Sequence, residues 1–164
     1  MGIISGFLEL FGCNSRNDSN PNSSNDNNSN NTILIAKQIK IDELEGQLNL
    51  LQTGKTEFDF IGITSNGIDC IYFMKEGNKL QIEFEAMILE QLPYIESLRE
   101  FANQNGIETT DTDYGNQPRY ESKNPAPVLR LNVNADIKKA AELGRLIETV
   151  IFKNNDNAKY DVVL

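Results

Sequence analysis

The sequence predicts an α+β fold, with an antiparallel sheet packed against two or three helices. Three observations lead there. Strand-like runs follow one another between residues 58 and 85, with no helix between them. Helical patterns stand at intervals on either side, so the order is not that of regular βαβ units. The last of the three runs alternates cleanly, with Leu80, Ile82 and Phe84 pointing one way and Gln81, Glu83 and Glu85 the other. That is the pattern of a sheet with one buried face.

In residues 1–13, Ile3, Ile4, Phe7, Leu8, Leu10 and Phe11 share one side of a helical wheel, which predicts a short amphipathic helix. Residues 14–32 read as a disordered tether. Its first 18 residues hold nine Asn, five Ser and two Asp, with no apolar side chain to offset the entropy of ordering. A coil of that length has a mean reach on the order of 25 Å. The folded body is expected over residues 33–164.

Ile41, Leu44, Leu48 and Leu51 recur at helical spacing. They predict a first helix reaching back toward Ile33, with a strand over 33–41 as the alternative, and Gly54 closes it. Runs 58–64, 68–75 and 80–85 form a three-stranded meander. Asn66-Gly67 reads as a two-residue hairpin turn between the first two. A second helix spans about 86–105, its stripe Ile88, Leu92, Ile95, Leu98 and Ala102. Pro93 either kinks that helix or opens a new one at its first turn. Short edge strands fit residues 108–113 and 119–122, and a firmer strand fits 128–133. Asn134 is the natural N-cap of the last helix, which buries Ile137, Ala140, Ala141, Gly144, Ile147 and Ile151. Residues 160–164 can add a terminal strand. The order is α-β-β-β-α-β-β-α with an optional last strand.

Composition narrows function. The chain has 24 Asp and Glu against 15 Lys and Arg, a net charge of −9, and no histidine. Imidazole-based catalysis, metal ligation and pH switching are therefore excluded. Nucleic acid is not an expected partner, because phosphate binding rests on Lys and Arg. No apolar run approaches the roughly 18–20 residues of a membrane span. Cys70 reads as a small buried hydrophobe. Leu10-Phe11-Gly12-Cys13 looks like a bacterial lipobox ahead of a polar tether, which would make Cys13 a lipidation site. Against that, no Lys or Arg precedes Cys13, and Glu9 interrupts the apolar stretch.

No motif points to catalysis. Gly54-Lys55-Thr56 has the ending of a phosphate loop, but Asn49 stands where that loop needs its first glycine, and the order is helix then strand. Asp111, Asp113 and Gly115 hint at a calcium loop, yet Ser122 occupies the position that needs Glu. Glu83 and Glu85 are paired carboxylates on one strand face, explained without catalysis as the exposed face of the third strand. Catalytic residues, cofactors and metals are expected to be none.

A first helix, a meander over 58–85, a middle helix over 86–105, two strands and a closing helix over 135–153 together resemble the type III secretion chaperone-like fold, including the YbjN group. The resemblance covers the body and not residues 1–32. It implies a non-catalytic, adaptor- or chaperone-like role in which a sheet face and helix grooves bind an extended peptide or a second copy. The expectation is thus an acidic, cytoplasmic protein-interaction module with a protein or peptide partner, and a homodimer as one form of it. Glu83, Glu85, Phe7 and Phe11 are the expected interaction surface. The rivals are an immunity-type inhibitor of a basic toxin and an envelope lipoprotein held through Cys13.

Overall fold

A computed structural model describes residues 37–163. The amphipathic segment 1–13, with Phe7, Phe11 and Cys13, and the tether 14–32 lie outside the described residues. Over these residues the fold is α+β: a seven-stranded antiparallel sheet with three α-helices on one face.

The chain enters as a short strand, β1 (Lys37–Lys40). This settles the ambiguous first element. Ile39 alone turns inward, and the backbone N–H of Lys40 donates to Glu43 Oε2 at 2.8 Å, starting a 3-10 turn. The helix proper, α1 (Leu44–Gln52), then buries Leu44, Leu48 and Leu51. Gly54 follows it at φ +69°, the left-handed position that glycine takes at helix ends.

The meander is β2 (Phe60–Thr64), β3 (Ile71–Glu76) and β4 (Lys79–Glu85). The β2–β3 connection is longer than a two-residue hairpin. Asp69 accepts hydrogen bonds from Thr64, Ser65 and Asn66 and gathers residues 64–70 into a side-chain-held loop. Such local side-chain bonds compete with ladder formation, so β3 starts at Ile71.

Pro93 opens a helix instead of kinking one. A 3-10 turn over Leu89–Gln91 leads into α2 (Leu92–Gln104), with Pro93 in its first turn, where no backbone donor is lost. Then come β5 (Thr109–Thr112) and β6 (Val128–Ala135), paired antiparallel and joined by residues 113–127. Residues 119–122 form no strand. They belong to that crossing loop, whose Arg119 N–H donates to Met87 O at 2.8 Å.

The last helix, α3 (Ile137–Val150), is capped by Asp136, whose Oδ1 accepts the Lys139 N–H at 2.8 Å. Asn134 is not the cap. It sits at φ +44° beside an irregularity in the β4–β6 register, locked to Gln81 through Gln81 Nε2 to Asn134 Oδ1 at 2.7 Å and Asn134 N–H to Gln81 Oε1 at 3.0 Å.

The terminal strand is β7 (Lys159–Val163). It does not extend an edge but inserts between the first two strands, giving the order β1-β7-β2-β3-β4-β6-β5. Lys37 lies opposite Val162, and Ile63 also faces Val162 from the other side. Tyr160 and Val162 enter the core with Ile61, Ile63, Phe73, Ile82, Phe84 and Leu131. Helix α3 lies close to the sheet, because a Cβ at Gly144 would come within 2.6 Å of Phe73.

Candidate functional site

With the helices on the inner face, sheet alternation sends Gly62, Thr64, Cys70, Tyr72, Glu83, Glu85 and Arg130 to the outer one. One cross-strand row runs Gly62, Tyr72, Glu83, Arg130, Thr110. Glycine at position 62 lets the Tyr72 ring lie over the backbone, since a Cβ there would sit 3.0 Å from Tyr72 Cε1. Phe60 meets Tyr72 edge-on with ring centroids 6.1 Å apart, and Phe58 stacks on Phe60 at 5.4 Å. Met74 stands opposite Phe60 in the ladder. These four side chains are half-buried and make an apolar strip across β2 and β3.

The strip runs into a cavity of about 320 Å³, lined by Ile68, Cys70, Tyr72, Glu85, Met87 and Ile88 among others. Gln91 holds its wall together. Its Oε1 accepts the N–H groups of Met87 (2.8 Å) and Ile88 (3.1 Å), while its Nε2 donates to Ile68 O at 3.1 Å. Burial pushes the Cys70 thiol up to about 12, against a weaker opposing hydrogen bond with Tyr72. Tyr72 is likewise raised well above the usual phenol range, chiefly by burial. A thiol this far from ionising is a poor nucleophile at neutral pH.

Glu83 and Glu85 share the outer face, as alternation requires, but they are not exposed; each is at most 5 % accessible. At Glu85 the crossing loop contributes. Residues 113–127 fold over this end of the sheet, so Asn116 Nδ2 donates to Glu85 Oε1 at 3.0 Å and the Tyr120 hydroxyl donates to Ala86 O at 3.3 Å. Glu83 pairs with Arg130 at 3.4 Å, and Arg130 also binds Glu76. Oxygen Oε2 of Glu83 is buried with no hydrogen-bond partner. Burial raises both carboxyls above the usual range; Arg130 opposes this at Glu83 and Asn116 at Glu85. Glu85 lines the cavity and Glu83 does not, so the two acids do not converge on one cleft.

A second polar cluster lies at the far end of α3, and sequence reasoning missed it. Glu148 is fully buried on the inner side of the helix. Asn154 Nδ2 bridges Glu148 Oε2, at 2.8 Å, and Asp69 Oδ2. Burial, reinforced by the nearby Asp69 charge, pushes Glu148 up to about 9, against hydrogen bonds from Asn154 and Tyr160. The signal was present: Glu148 follows Gly144 by four residues and precedes Ile151 by three, on the apolar stripe.

Asp111 pairs with Arg99 at 2.7 Å, and Asp113 Oδ1 accepts the Gly115 N–H at 2.9 Å, so both belong to local structure. Among the described residues, no three His, Cys, Asp or Glu side chains gather where they could hold a metal ion. None of the described helices is long and apolar enough to cross a membrane. Compared with protein-family models, with curated proteins and with solved structures, the chain matches none.

Proposed function

We propose that this chain is a non-catalytic protein-interaction module, adaptor- or chaperone-like, and that it binds through the outer face of its sheet. One observation carries the reading. Among the described residues all three α-helices lie on the inner face, and Phe58, Phe60, Tyr72 and Met74 form a strip on the outer face that leads into the cavity beside Met87. Aromatic and Met side chains around a pocket are the usual anchors of protein interfaces. The buried acids supply shape at this site instead of exposed charge. A toxin inhibitor that mimics phosphate needs exposed carboxylates, and Glu83 and Glu85 do not provide them.

The test is affinity capture from lysate of the source cells, comparing wild type with Met74→Asp on the outer face and Val150→Asp on α3. A protein retained by wild type and Val150→Asp but lost by Met74→Asp is the expected result. Capture indifferent to Met74→Asp removes the reading, as does small-molecule turnover that survives this substitution.

A further inference from the structure

We propose that the outer-face strip is a docking site for the chain's own residues 1–13, which lie across β2 and β3 with Phe7 and Phe11 toward Tyr72, Met74 and the cavity mouth. The proposal builds on the outer-face reading above and names an occupant that an external partner has to displace.

Chemical match, the need of a short helix for a surface, tether reach and charge all favour this occupant. The first is chemical match. Residues 1–13 bring Ile3, Ile4, Phe7, Leu8, Leu10 and Phe11 on one side of a helical wheel, and the face offers an aromatic and Met strip beside a cavity of about 320 Å³. The second is need. An isolated helix shorter than about 12–15 residues is marginal in water, so an apolar stripe of this length requires a surface to form against.

The third is reach. The described body begins at Lys37 in β1, the edge strand, and β3 lies three strand spacings away in the same sheet. At about 4.8 Å per spacing the span is roughly 14 Å. The 23 residues from 14 to 36, counted from the sequence, reach about 26 Å as a coil. A linker whose length exceeds the span modestly holds its cargo at an effective concentration near the millimolar range. The fourth is charge. Residues 1–13 carry Glu9 and no Lys or Arg, so an anionic bilayer has nothing to attract.

The experiment uses the full-length, isotope-labelled chain with a nitroxide on Cys13, since Cys70 is buried and stays unmodified. Paramagnetic broadening should erase the amide signals of Tyr72, Met74 and Met87 and spare those of Leu146 and Val150. The double variant Phe7→Asp/Phe11→Asp should restore the lost signals without disturbing the remaining spectrum. Broadening spread evenly, or centred on α3, overturns the proposal. So does broadening that occurs between copies, seen when nitroxide-bearing unlabelled protein is mixed with isotope-labelled protein. A mature chain that starts at Cys13 by intact mass also overturns it. These outcomes are separate from the capture experiment. A partner lost with Met74→Asp but indifferent to Phe7→Asp/Phe11→Asp leaves the module reading standing and removes the self-docking.

Discussion

Glu148 occupies a position that the apolar stripe of α3 would fill with Leu or Ile, and this has a measurable cost. Its pKa of about 9 in the folded protein lies above the ordinary 4.5. The folded state therefore holds a proton that the unfolded chain releases. Its stabilising share is intact below pH 4.5, declines as pH rises, and is gone above about pH 9. The slope in that window approaches about 1.4 kcal/mol per pH unit for one proton. Glu148→Gln should flatten it and raise stability at pH 8, as read by urea unfolding across the pH range. A slope unchanged in the variant would place the proton elsewhere. Asp69 matters through the hydrogen bonds it accepts. It receives hydrogen bonds from Thr64, Ser65, Asn66 and Asn154. Asp69→Ala strands several of those donors at about 1–3 kcal/mol for each one left unsatisfied, so a loss of at least about 3 kcal/mol is expected. Cys70 should resist a thiol reagent in the native protein and react once denaturant is added. Neither acid's role was legible from residue type alone. Glu83 and Glu85 show why: alternation states which residues share a face, and long-range contacts such as Asn116 with Glu85 and Arg130 with Glu83 are invisible to it.

At the scale of elements, legibility followed pattern length. The meander and the second and third helices each offered five or more patterned positions, the strand near 128–133 offered Leu129, Leu131 and Val133 in alternation, and all are present. Strand β1 offered a single inward residue, Ile39, too little to separate strand from helix. Boundaries moved where a side chain outbid the backbone pattern, as Asp69 did before β3 and Asp136 did before α3. The small residues of α3 were readable as a close-packing face, and Gly144 shows the contact. Alanine there gains about 1 kcal/mol of helix propensity. Its Cβ, however, would press to 2.6 Å from Phe73 and 3.1 Å from Leu44, both fully buried. Overpacking typically costs about 1–3 kcal/mol, so Gly144→Ala should lower the melting temperature. Adding Phe73→Leu should recover part of that loss; a more stable Gly144→Ala would show that the helix has room to lift.

For the whole molecule, the decisive feature is where the last strand goes. Because β7 seats between β1 and β2, the first strand has no link to the sheet until the final residues arrive. No local pattern announces such an insertion; residues 160–164 read only as an optional terminal strand, with no place in the sheet. A chain ended after Ala158 loses Tyr160 and Val162 from the core and leaves β1 unpaired. Each buried side chain is worth about 1.5–3 kcal/mol, a large part of the roughly 5–15 kcal/mol that holds a domain together. That truncation should abolish cooperative thermal unfolding by circular dichroism, and a retained sharp transition would mean the remaining strands close without it. The same pairing sets Lys37 across from Val162, so the body starts and finishes at one corner. A short peptide splice between those neighbours, with fresh ends opened at the Gly77-Asn78 turn, would yield a circularly permuted protein. Its strands would keep their order in space while β4 became the first to leave the ribosome.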